Sequence, residues 1–169
     1  MDIAKGKYER TDAKNYDELL KALDVNFLLR KAATASTPVM EVSILKISIS
    51  YFKFLYNIYR LQTIMYSYWL SFFQVTEEGG EWTIKTSTVL KSMELKFKVG
   101  EKFEEATPDG RQVDSIVTVE GNKFICVQTA KKEGEKSTKS IREFTEAGCT
   151  YTIEVTGTDV VSVQEFKRL

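Results

Sequence analysis

The side chains in this sequence that could do chemistry on their own are few. Cys126 and Cys149 are the only thiols, and no histidine stands anywhere to activate them. Histidine is the usual general base near neutral pH and the commonest ligand of catalytic metals, so hydrolase and metalloenzyme readings weaken together. No CxxC pair and no glycine-rich phosphate loop occurs in the sequence, which lowers thiol-redox and nucleotide chemistry as well. The chain does not read as an enzyme, and no cofactor or metal is expected. What remains is binding chemistry. Thr86, Thr88, Arg142 and Gln164 fall among apolar residues on strand-like stretches, a mixture that suggests a wet cavity rather than a dry core.

Charge and length narrow the ligand. Lys plus Arg equals Asp plus Glu at 24 each over 169 residues, so no global field draws the chain to nucleic acid or to an anionic membrane. A neutral or weakly charged ligand fits better. The opening MDIAKGKYER lacks the apolar run of a secretion signal, and two cysteines in such a chain read as free thiols in a reducing, cytoplasmic setting.

The elements that must position these groups follow from periodicity. Over residues 15 to 34, Tyr16, Leu19, Leu20, Leu23, Phe27 and Leu28 recur at helical steps, with Asn15 placed to cap the start. The stripe breaks at Asp24 and Asn26, which predicts two short helices and a turn. From Glu81 onward the period becomes two, through WTIKTSTVL, MELKFKV, RQVDSIVTVE, KFICVQTA, KSIREFTE, CTYTIEVT and DVVSVQEFKR. Turn signals at short intervals, among them Pro108-Asp109-Gly110, Glu120-Gly121-Asn122 and Ala147-Gly148, predict an antiparallel meander. Alternation alone leaves a two-sheet sandwich open beside a closed barrel.

The runs Gly6-Lys7-Tyr8 and Asn15-Tyr16-Asp17-Glu18-Leu19-Leu20-Lys21-Ala22-Leu23 carry more. With Lys85-Thr86-Ser87-Thr88, Phe97-Lys98-Val99-Gly100, Phe103-Glu104-Glu105, Asp109-Gly110-Arg111 and Ile141-Arg142-Glu143, the sequence resembles the intracellular lipid-binding proteins, the cytoplasmic fatty-acid- and retinoid-binding carriers. The resemblance implies a mainly β fold: a ten-stranded antiparallel up-and-down β-barrel of the calycin type with a helix-turn-helix lid. It implies a monomeric carrier of a long-chain fatty acid or similar hydrophobic molecule, held non-covalently, with no nucleic-acid partner. In that family an interior arginine and an Arg-x-Tyr group on the last strand receive the lipid carboxylate. Arg142 matches the first, whereas the last strand here reads Gln164-Glu165-Phe166. A buried carboxylate needs a cation and donors, and Gln164 serves a hydroxyl or aldehyde as well as a carboxylate, so a retinoid or other neutral lipid is the alternative. The ligand-contacting set is then Arg142, Gln164, Phe166, Thr86 and Thr88, joined by Met40, Tyr16 and Leu20. Arg111, with Lys91, is expected near the entrance, either steering an anionic lipid inward or simply solvated. Leu28, Leu29, Lys21, Arg30 and Lys31 belong to the lid, where the basic residues either touch anionic bilayers transiently or keep the lid soluble.

One segment does not belong to this pattern. Residues 43 to 73 contain no acidic residue and ten of the chain's twenty aromatic ones. Removing 42 to 74 joins Glu41 to Val75 and leaves a strand, an acidic-glycine turn and a strand. Val42-Ser43 can be encoded as a splice donor and Phe72-Phe73-Gln74 as an acceptor, which suggests a retained intron read in frame and a damaged product. Lys46, Lys53 and Arg60 leave no uncharged run long enough to span a bilayer, while an interfacial helix stays open. The segment is expected to loop out of the barrel as a helix and to find cover from the lid helices, lipid or another chain.

Overall fold

Strands that alternate apolar and polar residues must bury one face, and a long antiparallel meander does so by wrapping onto itself. The computed structural model describes residues 2–45, 80–88 and 92–169. A short 3-10 turn, Asp2–Ala4, leads into β1 (Gly6–Lys14), then α1 (Tyr16–Ala22) and α2 (Phe27–Ala35). Nine strands follow: β2 (Val39–Leu45), β3 (Glu81–Ser87), β4 (Ser92–Phe97), β5 (Lys102–Ala106), β6 (Gln112–Glu120), β7 (Lys123–Ala130), β8 (Thr138–Phe144), β9 (Gly148–Val155) and β10 (Val161–Arg168). The ten strands form one sheet in the order β4-β3-β2-β1-β10-β9-β8-β7-β6-β5. Every pairing is antiparallel, and β1 lies against β10, so the two ends of the chain meet and the sheet curls into a nearly closed barrel.

The core sits at one pole. Tyr8, Trp82, Phe97, Phe124 and Phe144 all point inward and are almost fully buried. Phe124 is the hub, with edge-on contacts to Trp82 at 4.9 Å, Phe144 at 5.5 Å and Phe97 at 5.6 Å between ring centroids. Burying each such ring is worth about 1.5–3 kcal/mol, and each edge-on pair adds about 0.5–1.5 kcal/mol. The β6–β7 hairpin reaches this pole through the two-residue turn Gly121-Asn122, whose glycine adopts φ +58°. Asn122 then locks the turn to β8, its side chain donating to the Phe144 carbonyl at 2.7 Å.

The helices close the other pole. Asn15 does not cap α1 as its type suggests: it sits in the left-handed region, and its side chain donates across to the Val161 carbonyl at 3.1 Å. Leu19 and Leu20 of α1 are buried, and Asp24, with φ +59°, turns the chain between the helices. Asn26 caps α2 by accepting from the Leu29 amide at 3.0 Å. Arg30 of α2 pairs with Asp17 of α1 at 3.2 Å, linking the two helices, while Leu28 and Leu29 face outward.

Two boundaries differ from expectation. Gly148 opens β9 instead of forming a turn, because a Cβ there would stand 2.0 Å from the Phe166 carbonyl oxygen on β10. The strand partners can approach this closely only at glycine. The first four residues of the 42 to 74 segment do not loop out: Val42, Ser43, Ile44 and Leu45 continue β2 and pair with Ile84, Thr83, Trp82 and Glu81. Val42 is buried and Ser43 exposed, so these residues supply the alternation the strand needs whatever their origin. The chain leaves β2 at Leu45 and returns at β3 beside Trp82, at the aromatic pole and away from the lid helices. The rest of the 42 to 74 segment lies outside the described residues, as does Lys91.

Candidate functional site

Two rows of inward residues run across β7 to β10 and on to β1. The first runs Phe124, Arg142, Tyr151 and Gln164 across β7, β8, β9 and β10. The second runs Phe144, Cys149, Phe166 and Arg10 across β8, β9, β10 and β1. Directly opposed residues on one face stand about 4.5–5.5 Å apart at Cβ, so each row is a chain of touching side chains. The register, which the residue pattern of β8 alone leaves undecided, turns Arg142 inward.

Arg142 is the chemical centre of the first row. Its guanidinium lies 3.8 Å over the Tyr151 ring, a close cation–π stack. Its Nε is buried and, among the described residues, has no hydrogen-bond partner. No carboxylate among the described residues pairs with it. Two buried thiols lie within its field, Cys126 and Cys149. Burial pushes Cys126 up to about 11 and Cys149 up to about 12, against the opposing pull of Arg142. Both are therefore neutral thiols near pH 7, too weakly ionised to act as nucleophiles.

The second row ends in a residue that the sequence pattern did not single out. Arg10 is 7% exposed and points into the barrel. Its Nη1 donates to Gln164 Oε1 at 3.1 Å, and its Nη2 donates to the carbonyls of Ala33, at 3.2 Å, and Ser36 at the end of α2. Its guanidinium also lies 5.0 Å from the Tyr16 ring centroid. Burial raises the Tyr16 hydroxyl above the usual tyrosine value, with Arg10 pulling the other way. A register shift between Arg10 and Asp12 inserts an extra residue in β1, so Arg10 faces Phe166 while Ala13 faces Gln164. Such bulges re-aim side chains. The signal for Arg10 was its two-residue step from Tyr8: if the tyrosine is core, the arginine shares its face. Tyr151 likewise follows from its pairing with Gln164.

A second polar cluster joins β5, β6, β7 and β8. Glu105 Oε1 accepts from Ser115 at 2.6 Å and from Gln128 at 2.7 Å, and Thr138 donates to Gln128 Oε1 at 2.7 Å. Cys126 feels both Arg142 and Glu105, which places it between the two.

Of the residues expected to touch ligand, Arg142, Gln164, Phe166 and Tyr16 gather around Arg10 and Tyr151. Met40 is buried on β2 between Tyr8 and Thr86, and the half-buried Thr86 faces it from β3. Leu20 is buried under the lid, and Thr88 lies just past the end of β3, half-buried. Arg111 is placed differently from expectation. It is 6% exposed, forms a two-pronged pair with Asp109 and donates to the Lys136 carbonyl. Its guanidinium clamps the β5–β6 turn to the β7–β8 connection, because a buried cation needs a counter-charge, and it is not a free cation at an entrance.

Residues 69–168 match the sequence profile of the Lipocalin / cytosolic fatty-acid binding protein family. A fatty acid-binding protein of Tyrophagus putrescentiae is 36% identical over 164 residues, covering 96% of this chain and 95% of that protein. Cellular retinoic acid-binding protein 2 of Mus musculus is 34% identical over 167 residues, covering 96% of each. Among solved structures, the fold is similar to the apo lipid binding protein 8 of Caenorhabditis elegans, with a TM-score of 0.76, 24% identity and coverage of 100% of this chain and 97% of that one. A fatty-acid-binding protein from brain tissue of Drosophila melanogaster gives a TM-score of 0.68 at 29% identity, covering 95% of each chain.

Proposed function

The chain belongs to the Lipocalin / cytosolic fatty-acid binding protein family, and from that premise we propose that it carries one hydrophobic molecule with an anionic head group inside the barrel. The observation that carries this reading is Arg142, an inward guanidinium with an unpartnered Nε and no carboxylate beside it among the described residues. An uncompensated cation in a low-dielectric interior costs several kcal/mol, and a ligand carboxylate is the group that offsets it. The relatives point the same way: one is named for fatty acids and one for retinoic acid, and both ligands end in a carboxylate. The aromatic pole would receive the apolar tail.

A neutral head group is the second reading, favoured by Gln164. Its Oε1 is turned to Arg10, so its NH2 is left to donate to a carbonyl or hydroxyl oxygen. Titrating the full chain with oleate and with oleyl alcohol, and repeating both with Arg142→Gln, separates the two. The acid reading expects Arg142→Gln to weaken oleate about tenfold or more and the alcohol little. Equal losses would move the head group away from Arg142, and failure of the wild type to bind either lipid would remove the carrier reading.

The same proposal takes the working protein to be a cytoplasmic monomer, which native mass spectrometry and cell fractionation test. Among the described residues no helix is long and apolar enough to cross a membrane. Phe27, Leu28 and Leu29 stand outward on α2, so transfer of ligand by brief contact with bilayers belongs to the proposal and would be read from transfer rates to vesicles.

A further inference from the structure

We infer that Arg10 is a second ligand-anchoring cation, joined to Arg142 through Gln164 and Tyr151, and that it sets the preference of the site for anionic over neutral lipids. This rests on the carrier reading above and names a residue that neither the resemblance nor the comparisons assign.

Arg10 is 7% exposed, yet the acceptors the structure gives it are neutral: Gln164 Oε1, the carbonyls of Ala33 and Ser36, and the Tyr16 hydroxyl. Among the described residues no carboxylate pairs with it. Neutral acceptors stabilise a guanidinium but do not cancel its charge, so neighbouring rows hold two arginines with no ion-pair partner among the described residues. Two like charges in one cavity raise each other's cost, and a single anion between them relieves both. The geometry leaves Arg10 able to act. A guanidinium carries five N–H donors; three go to Gln164, Ala33 and Ser36 and one is shared with the Tyr16 hydroxyl, which leaves one for a ligand. Gln164 bridges the gap, with its oxygen on Arg10 and its NH2 on the other side, in the row that leads through Tyr151 to Arg142. Beyond the register shift between Arg10 and Asp12, the β1 residue opposite Gln164 is Ala13, whose small side chain takes little room beside the amide.

The competing role for Arg10 is that of a strut that only pins the end of α2 to the barrel. The two roles differ in what they do to acid and alcohol. For the full chain, Arg10→Leu is expected to raise the oleate dissociation constant about tenfold or more while shifting oleyl alcohol by less than about threefold. The double variant Arg10→Leu/Gln164→Arg moves the cation to the adjacent strand and is expected to recover most of the oleate affinity, which a strut could not do. If Arg10→Leu does not fold, the double variant against Gln164→Arg alone and the wild type carries the comparison. Equal weakening of acid and alcohol, or a folded double variant that leaves oleate as weak as in the single, overturns the inference. Arg142→Gln is titrated alongside: if it discriminates acid from alcohol and Arg10→Leu does not, the anchoring role of Arg10 fails and the carrier reading stands. If the wild type binds neither lipid, both fall.

Discussion

The two poles of the barrel interior are built from the same alternating strands but leave different things undone. At the aromatic pole Phe124 packs on Trp82, Phe97 and Phe144, and Arg168, near the end of the chain, donates to the Ile3 and Lys5 carbonyls and to the Tyr8 hydroxyl. Toward the lid Arg10 holds neutral acceptors only, and on the row beside it Arg142 keeps a buried Nε with no partner among the described residues. Packing is concentrated where every contact is filled, and the proposed binding where some are left open. A natural sequence tolerates such local deficits when function uses them.

The contrast can be broken most severely at the hub. Phe124→Ala should destabilise the protein by about 3–5 kcal/mol, seen as a lower urea midpoint, while leaving the oleate-to-alcohol affinity ratio of the folded fraction unchanged. A change in that ratio would mean that the poles are not separate. Next comes the link between β2 and β3, which leaves the barrel at the aromatic pole. Deleting residues 42 to 74 places Val75 in the inward slot of Val42 and Thr76 in the outward slot of Ser43, so the register with β3 is kept. Shortening a connection through about three halvings recovers roughly 2 kcal/mol of loop-closure entropy, and the urea midpoint should rise accordingly with ligand binding retained. A midpoint equal to that of the full chain would show that the long connection costs nothing.

Arg142→Leu tests the lid pole from the opposite side. Removing an uncompensated interior cation should leave ligand-free stability unchanged or raise it by about 1 kcal/mol, while oleate binding falls. Loss of both together would make Arg142 a structural residue. The smallest effect concerns the thiols on the border between the poles. Folding raises Cys126 and Cys149 from 9.0 to about 11 and about 12, so the native state holds protons that the unfolded chain releases first. Their contribution to stability is complete below pH 9 and is lost as pH rises toward 11 and 12. The urea midpoint should decline through that window less steeply in Cys126→Ala/Cys149→Ala than in the wild type.

Much of the architecture was legible because alternation and turn chemistry are local. The strand run KFICVQTA and the helix break at Asp24 and Asn26 appear where periodicity put them. What the sequence could not show is what depends on pairing. Thr138–Phe144 reads the same whichever face Arg142 takes, and only its position between Phe124 and Tyr151 decides it. Arg10 was missed because arginines on strands usually face water, and because the absence of a cation at position 164 was read along one strand rather than across to its neighbour. Arg111 was misplaced for the converse reason: Asp109 lies two residues away, and nothing local says that both will be buried. The composition of Val42-Ser43-Ile44-Leu45 marks them as foreign, but a ladder selects only for alternation, and they have it.

The sheet order leaves β4 and β5 as its two edges, with no ladder joining them among the described residues. Phe97 and Phe103 stack nearby, their centroids 6.2 Å apart and their planes 18° from parallel. Mechanically the barrel is a split ring rather than a hoop. A hoop can widen only by stretching hydrogen bonds worth about 1 kcal/mol each, whereas a split ring widens as side chains slide, at about 0.1–0.2 kcal/mol per atom pair. The bore of this barrel is therefore compliant along one seam, and its gauge can be retuned by exchanging a side chain there without disturbing a single strand pairing.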